Sequence, residues 1–351
     1  MRLLIVTDTL DVDDLKVGYF HRWVEELAKH CISIEIITKK QGYHTLPAHV
    51  HVHSLGWEVK KGSITRFSRY LWFLVRLIRQ YDAVFVYDTP WVVAHSGWWW
   101  KLWKKKIGLW YAYGDPKMSL QCARLFLSCI FTPTTHGYHG GGDVKHVVGH
   151  GVDIAKFHTV LRPKHDGVFR MVTVGDISPT KDYETLIRAI SMLNESIDKP
   201  FTLTIVGAPR PGKEVFAEDV RTFSRSFGLG EIITFFGPMK NAEVAKMHQG
   251  ADLYISMNIR PALEKSVIEA AASGLPILTS NESFDDFAHD YREFVYFEKE
   301  NDVELAERIR HMMKLSYDAR HALGQAFRSV AVSTHSTEVL AKGIVDAYNH
   351  G

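Results

Sequence analysis

Short apolar runs alternate with amphipathic stretches along the whole chain. Runs rich in β-branched and aromatic residues predict strands, and a 3.6-residue apolar periodicity between them predicts helices. The second half repeats the scheme of the first and then ends in three helices with no strands between them. The predicted strands are residues 3–7, 32–38, 49–55, 83–88, 107–113, 145–149, 169–175, 203–207, 233–237, 252–257, 276–279 and 294–297. The predicted helices are residues 18–30, 64–79, 94–106, 117–128, 182–194, 214–227, 242–249, 265–272, 302–315, 318–330 and 336–348.

This alternation predicts an α/β protein with two doubly wound domains, because strands that alternate with helices form parallel sheets through right-handed crossovers. A chain of 351 residues is also longer than one hydrophobic core usually serves. We expect a first domain over residues 1–163, a second over 164–332, and a final helix over 333–351 that packs back on the first domain. The polar stretch 161–167 is the predicted linker. Ligands of open parallel sheets bind at the carboxyl ends of the strands, so the loops after strands are the candidate sites.

The composition, 46 % hydrophobic and 23 % charged, is that of an ordinary globular protein. No apolar run is long enough to cross a bilayer, and the first residues pass from a strand pattern into an acidic loop, unlike a signal peptide. We therefore expect a cytoplasmic protein. Three cysteines without a CxxC pair argue against a disulfide framework or a cysteine zinc site.

Charge is divided unevenly along the chain. Residues 1–165 carry 22 Lys+Arg against 13 Asp+Glu, a net charge of +9, whereas residues 166–351 carry a net charge of −7. A basic first half indicates an anionic partner, although a solvated basic surface without a partner is an equal alternative. No nucleic-acid motif accompanies the basic residues, so we expect no nucleic-acid partner.

Two residues of the second half stand out chemically. Lys181 lies at the entrance of a predicted helix, where its ammonium and the helix dipole both attract an anion such as a phosphate. Glu269 lies on a helix that is otherwise Ala, Val and Ile, and a carboxylate there is costly unless it is hydrogen-bonded, for example to a ribose diol. A solvated lysine and a structural carboxylate are the alternatives for the two positions.

The motifs of the chain, taken in order, resemble those of the family 4 glycosyltransferases, which are retaining enzymes of the GT-B fold. The resemblance runs over nearly the whole sequence and implies two Rossmann-like domains that face each other across a cleft, with C-terminal helices that brace them. The motifs that carry it are Val17-Gly18-Tyr19, His150-Gly151-Val152-Asp153 with Phe157, residues 175–182, Ile205-Val206-Gly207, Phe236-Gly237-Pro238, and the run from Glu269 to Gly274.

The resemblance also implies roles for individual residues. Glu269 is expected to hold the donor ribose and Lys181 the diphosphate, while the loop 237–239 flanks the base and Gly18 admits the sugar phosphate. Lys181 and Glu264 are the expected catalytic residues. The implied donor site consists of Gly18, Tyr19, Gly175, Lys181, Gly207, Gly237, Met239, Arg260, Leu263, Lys265, Ser266 and Glu269. The implied donor is UDP- or GDP-linked, and no metal or other cofactor is expected, although Asp11, Asp13 and Asp14 superficially resemble a metal clamp.

The chain departs from the family at ligand-contacting positions. Asp176 stands where the family has a diphosphate-binding arginine, and Pro261 stands where it has a glutamate. Tyr19 replaces a glycine, and residues 111–115 offer no sugar-contacting histidine. Asp176 either turns away from the diphosphate or pairs with a neighbouring cation, for which Arg260 and Lys265 are the candidates. We hypothesise that Arg260 or Lys265 replaces the missing guanidinium, and that Glu264 contacts the sugar.

An aromatic and basic segment of the first half is typical of a membrane surface, because tryptophan prefers the headgroup region and lysine is drawn to anionic lipid. The residues expected to form this surface are Arg66, Arg69, Trp98, Trp99, Trp100, Lys104, Lys105 and Lys106. Packing of some of these tryptophans in the core is the alternative.

The sequence thus predicts a retaining glycosyltransferase that moves a hexose-type sugar from a nucleoside diphosphate to a lipid-linked or anionic acceptor. It would work in the cytoplasm, peripherally on the inner face of the membrane. The alternative is a catalytically impaired GT-B-like protein that binds nucleotides or glycans.

Overall fold

Parallel strands alternate with helices throughout the computed structural model, which describes residues 1–112, 118–140, 144–160, 166–260 and 262–350. The chain divides into two compact units. The first unit contains residues 1–153 and 334–351, and the second contains residues 154–333.

The first unit is built on a seven-stranded parallel sheet in the order β3-β2-β1-β4-β5-β6-β7. Its strands are β1 Arg2–Leu10, β2 Ser33–Gln41, β3 Val50–Ser54, β4 Ala83–Tyr87, β5 Lys106–Trp110, β6 Cys129–Thr132 and β7 Lys145–Val147. Its helices are α1 Tyr19–Ala28, α2 Ser63–Arg76, α3 Pro90–Leu102, α4 Met118–Arg124 and, from the end of the chain, α13 Thr337–His350.

Both faces of this sheet are covered, which is why its central strands are almost continuously apolar. Side chains of α1 and α13 pack on one face and those of α2, α3 and α4 on the other. The Tyr348 hydroxyl of α13 donates a hydrogen bond to the Val84 carbonyl at 2.7 Å, and Lys106 Nζ donates to the Tyr348 carbonyl at 2.6 Å. The last helix is therefore part of the first unit's core.

The second unit is built on a five-stranded parallel sheet in the order β10-β9-β8-β11-β12. Its strands are β8 Phe169–Val174, β9 Phe201–Val206, β10 Ile233–Gly237, β11 Leu253–Ser256 and β12 Ile277–Thr279. Its helices are α5 Tyr183–Ser196, α6 Glu214–Ser226, α7 Asn241–Gly250, α8 Lys265–Ala272, α9 Asp285–Ala288, α10 Arg292–Val295, α11 Asp302–Lys314 and α12 Tyr317–His335. The α/β class and the parallel sheets are as predicted.

Two local expectations were wrong. The four-residue strand β6 was missed because its short apolar run adjoins a predicted helix. Residues 294–297 were predicted as a strand, but Phe294 and Val295 end the short helix α10, and Tyr296 after it forms a single bridge to Thr279. The Tyr296 hydroxyl donates to the Asn281 carbonyl at 2.7 Å, which ties this segment to the loop after β12. Most of the predicted linker, residues 161–165, lies outside the described residues.

Glycines draw three strand ends together at the carboxyl edge of the second sheet. The Gly207 N–H donates to the Gly237 carbonyl at 2.9 Å, and the Gly175 N–H donates to the Val206 carbonyl at 2.9 Å. A Cβ atom on Gly207, whose φ is +148°, would lie 1.7 Å from the Gly175 carbonyl oxygen. Only glycine allows the two loops to approach this closely.

We expect the substitution Gly207→Ala to lower the free energy of unfolding of the second unit by about 2 kcal/mol or more, because the new methyl group must displace a backbone. The shift of the urea-unfolding midpoint measures this effect. Gly230→Ala is the matched control, since a Cβ there meets no atom within 4 Å. Equal midpoints for the two variants would contradict the close approach.

Candidate active site

Lys181 lies directly behind the first of these glycine loops. It ends a single 3₁₀ turn, Pro179–Lys181, between β8 and α5, and its side chain is almost fully buried. A Cβ atom on Gly175 would lie 2.7 Å from Lys181 Nζ. Glycine at position 175 therefore leaves the space that the ammonium group occupies.

The buried ammonium of Lys181 forms an ion pair with the carboxylate of Glu264, the residue that precedes α8. A buried lysine is tolerated when a carboxylate compensates its charge. Tyr183 and Tyr254 line the same region, and burial, together with the nearby charge of Glu264, raises the pKa of both phenols. Both hydroxyl groups are thus protonated, and available as donors, throughout the physiological range.

Hydrogen bonds from asparagine side chains brace the loop that leads into α8. Asn258 Nδ2 donates to the Ala262 carbonyl at 3.1 Å, and Asn281 Nδ2 donates to the Arg260 carbonyl at 2.8 Å. Both asparagines are buried. This bracing fixes the first turn of α8, whose N–H groups have no partners within the helix and attract anions.

Inside the first turn of α8, Ser266 Oγ lies 3.0 Å from the Tyr254 hydroxyl, which also lies 3.2 Å from the Val174 carbonyl oxygen. Leu263, just before the helix, is buried. The start of α8 is therefore anchored to β11 and to the end of β8. These contacts bring Gly175, Lys181, Leu263, Glu264 and Ser266 into one site.

Glu269 lies one turn further along α8 and is buried. Asn241 Nδ2 donates a hydrogen bond to Glu269 Oε1 at 3.1 Å, which satisfies part of the hydrogen-bonding capacity of the carboxylate. Burial raises the pKa of Glu269, and the positive charges of Lys265 and Lys156 oppose this effect. A buried carboxylate with one protein donor retains acceptor capacity for a ligand hydroxyl.

Behind α8, His248 is completely buried between Phe157 and Tyr254, with ring centroids 5.9 and 5.6 Å away. Burial lowers the pKa of His248 to about 3. The imidazole is therefore neutral at physiological pH and acts as part of the apolar support of the helix.

Asp176, the unexpected acid of the glycine loop, pairs with a cation, but not with either of the two that the sequence suggested. Its carboxylate forms an ion pair with Arg210, which lies in the loop after β9. The side chain of Arg260 is exposed, and Lys265 is the first residue of α8. The pairing part of the hypothesis was therefore wrong, because a loop brought close by Gly207 supplies the guanidinium.

The remaining predicted donor-site residues are distributed between the two units. Gly237 and Met239 are half-buried at the end of β10 and just after it. Gly18 and Tyr19 belong to the first unit, at the start of α1, where a Cβ on Gly18 would lie 2.6 Å from the Asp14 carbonyl. The Tyr19 and Tyr87 hydroxyl groups are 2.5 Å apart. Pro261 and residues 113–115 lie outside the described residues.

Sequence reasoning missed four residues that shape this site: Arg210, Asn241, Asn258 and Asn281. Arg210, Asn258 and Asn281 follow β9, β11 and β12 within a few residues. They lie in loops after strands, which the sequence already marks as candidate sites. Asn241 starts α7, and nothing in its local sequence indicates that it meets Glu269.

The aromatic and basic surface of the first unit is only partly as expected. Trp98 is 57 % exposed and Trp99 is half-buried, but Trp100 is in the core, with its Nε1 donating to the Tyr81 hydroxyl at 3.0 Å. Lys105 and Lys106 are half-buried, and each donates to a backbone carbonyl. Trp100 therefore packs in the core, which is the alternative stated for these tryptophans, and cannot face a membrane. Lys104 is exposed, and Arg66 and Arg69 are half-buried on α2.

Helix α2 exposes an apolar stripe. Ile64 is 84 % exposed, Phe67 62 % and Val75 60 %, and Leu71 between them is also exposed. Phe73 and Leu74 of the same helix are buried. In the part of the chain that the structure describes, no helix is long and apolar enough to span a bilayer.

Comparisons with known proteins agree with this architecture. Residues 161–330 match the family "Glycosyl transferases group 1". The D-inositol 3-phosphate glycosyltransferase of Corynebacterium diphtheriae is 28 % identical over 34 % of this chain and 27 % of its own length. The alpha-monoglucosyldiacylglycerol synthase of Acholeplasma laidlawii is 25 % identical over 51 % of this chain and 43 % of its own length. The chain thus matches less than half the length of these curated relatives.

Among solved structures, Anabaena Alr3699/HepE, crystallised with UDP and glucose, superposes with a TM-score of 0.77. The match covers 99 % of both chains at 14 % sequence identity, so the likeness is one of fold. The resemblance to GT-B glycosyltransferases is confirmed, while membership of family 4 and the retaining mechanism stay predictions. The chain therefore has the GT-B glycosyltransferase fold, and residues 161–330 of it match the group 1 glycosyl transferases.

Proposed function

We propose that this chain is a retaining glycosyltransferase that transfers a hexose from a UDP- or GDP-linked donor. One observation carries the proposal. An unbroken series of contacts runs along the carboxyl edge of the second sheet, from Gly237 through Gly207 and Gly175 to Lys181 and Glu264. It ends at the first turn of α8, the helix that also carries the buried Glu269.

This edge suits a nucleoside diphosphate. The ammonium of Lys181 and the N–H groups that start α8 offer positive charge to the phosphates. The Glu269 carboxylate accepts hydrogen bonds from the two ribose hydroxyls in addition to the one from Asn241. Gly237 and Met239 border the base.

Catalysis in this proposal comes mainly from charge. As the anomeric bond breaks, negative charge develops on the departing diphosphate, and preorganised positive groups stabilise it. Lys181 acts on that charge directly, and Glu264 both holds Lys181 and faces the sugar. Arg210 neutralises Asp176, which would otherwise repel the phosphates.

The acceptor in this proposal is lipid-linked or anionic and binds to the basic first unit. The name of the Acholeplasma relative, a synthase of alpha-monoglucosyldiacylglycerol, and the UDP and glucose of the HepE crystal support this choice of substrates. The exposed apolar stripe of α2, flanked by Arg66 and Arg69, supports contact with an anionic membrane surface. The alternative is a protein that binds nucleotide without turnover.

Replacing Lys181 by Met, which keeps the apolar stem, is expected to weaken UDP or GDP binding by about tenfold to a hundredfold, because one charge-assisted contact is lost. Isothermal titration with UDP, GDP and ADP measures the affinity. Lys314→Met, at the exposed end of α11, is the control.

Sugar release from the donor that binds is then followed with and without lipid acceptors. If the wild type turns over the donor and Lys181→Met does not, the result supports the proposal that the chain is an enzyme. If the wild type binds nucleotide but turns over no donor with any acceptor, the alternative of a nucleotide-binding protein is favoured. If Lys181→Met binds nucleotide as tightly as the wild type does, this donor site is ruled out.

Glu269→Gln is expected to stabilise the second unit while weakening nucleotide binding. Burial raises the pKa of Glu269. The folded state therefore holds its proton more tightly than the unfolded state, and stability falls as pH rises from about 4.5 through the raised pKa. Glutamine removes this dependence and still accepts the hydrogen bond from Asn241.

Unfolding midpoints of wild type and Glu269→Gln, measured between pH 4 and 8, test this prediction. The difference between the two midpoints should grow with pH. Glu307→Gln, at an exposed position in the middle of α11, should show no such difference from the wild type. A variant that is less stable at pH 8 would indicate that the carboxylate is ionised and well paired.

Val75→Glu is expected to reduce binding to vesicles of anionic phospholipid by about tenfold, since it places a charge on the exposed stripe of α2. Co-sedimentation with vesicles at low and high salt measures this. Val215→Glu, at an exposed position on α6 of the second unit, serves as the control. Loss of binding in both variants, or in neither, would argue against this membrane surface.

A further inference from the structure

A cavity of about 600 Å³ opens in the first unit between α2 and α3. Its floor is formed by the carboxyl ends of β1 and β2, and its walls are mostly apolar side chains. The side chains that line it include Val6, Ile37, Leu55, Phe67, Leu71 and Val92. Its volume is that of a typical small-molecule site.

The cavity carries its charges on a few residues at the strand ends and on α2. Lys39 forms an ion pair with Asp8 at 2.7 Å and lies 5.0 Å from the centre of the Trp91 ring. Arg66 stacks on Trp57, with its guanidinium carbon 4.2 Å from the ring centre. Asp8 is thus compensated, and the lining as a whole has an excess of positive charge.

Arg66 is the group that gives the cavity its preference for an anion. It donates to Ser63 Oγ at 3.2 Å, and among the described residues it forms no ion pair with a carboxylate. A guanidinium held against an aromatic ring at the edge of an apolar cavity matches a phosphate attached to a hydrocarbon chain.

The cavity is continuous with the exposed stripe of α2. Phe67 and Leu71 line the cavity and are also members of that stripe, which extends to Ile64 and Val75 outside it. Trp91 and Trp98, both exposed, border it from α3. A hydrocarbon chain is able to pass from an apolar surface into the cavity without crossing a polar rim.

We propose that this cavity binds the hydrocarbon chain of an anionic amphiphile, with the phosphate of that amphiphile at Arg66. The proposal rests on the proposed function, since it names the class of acceptor: a phospholipid or lipid phosphate that offers its head group at the carboxyl edge of the first sheet. A cavity of this volume holds one hydrocarbon chain up to a limiting length. An open apolar surface sets no such limit, so the dependence of affinity on chain length distinguishes the two.

The probes are alkyl phosphates from hexyl to dodecyl, used below their micelle concentrations and without nucleotide. Affinity is measured by isothermal titration and by the fluorescence of the cavity tryptophans. We expect about a fourfold gain for each methylene that enters the cavity. The gain should stop at the length that fills the cavity. Affinity that rises without a plateau would indicate partition onto the surface and overturn the proposal.

Two pairs of variants locate the binding. Leu71→Glu, in the cavity wall, should abolish binding of decyl phosphate, while Val75→Glu, one turn further on α2 and outside the cavity, should leave it unchanged. Arg66→Gln should lower the affinity for decyl phosphate about tenfold and leave the affinity for decanol unchanged. Arg76→Gln is the matched control. Equal loss in Leu71→Glu and Val75→Glu, or equal affinity for decyl phosphate and decyl trimethylammonium, would overturn the proposal.

UDP binding, measured on the same preparations, keeps this test separate from the proposed function. Folded cavity variants should bind UDP like the wild type, because Lys181, Glu269 and Gly237 belong to the second unit. None of the cavity variants changes a residue of the proposed donor site. Alkyl phosphate binding without UDP binding would contradict the donor site alone, and UDP binding without chain-length dependence would contradict the cavity alone.

Discussion

A buried ammonium group needs a partner, and the Lys181–Glu264 ion pair is the interaction on which the candidate site depends. It joins the turn after β8 to the start of α8, two segments that are far apart in the sequence. The turn approaches this closely because Gly175 leaves room for the lysine and Gly207 leaves room for Gly175. The asparagines at the ends of β11 and β12 hold the other partner in place. Charge, glycine and amide bracing therefore act together at one edge of the sheet.

The architecture was predictable where local pattern decides it. Central strands such as β1 and β4 are covered on both faces, so their continuous apolar runs were recognisable. The strand β6 and the helix α10 were misjudged because four residues are too few for a period of two or of 3.6 to be distinguished. In α3 the apolar residues surround the whole helix, and no periodicity indicated that Trp100 would be buried and Trp98 exposed.

The candidate site was predictable where a single residue is anomalous in its own surroundings. Lys181 at a helix entrance and Glu269 on an apolar helix are anomalies of this kind. The partners of these and other site residues were not predictable, because Asn241 meets Glu269 and Arg210 meets Asp176 only after separate loops converge on the sheet edge. Arg260 seemed the natural partner for Asp176 because it is close to the motif in sequence, but the convergence of loops decides which residues meet.

The return of α13 to the first sheet has a consequence for the order in which the protein is made. The Tyr348 hydroxyl contacts a strand that the ribosome completed more than 260 residues earlier, at Val84. The intervening second unit is continuous in sequence and has all its strands before α13 is synthesised. Domains generally fold as units during synthesis, and non-local contacts form late. The first unit is started before the second yet completes its core after it, and until α13 is made, the apolar residues of the first sheet that α13 covers lack that cover.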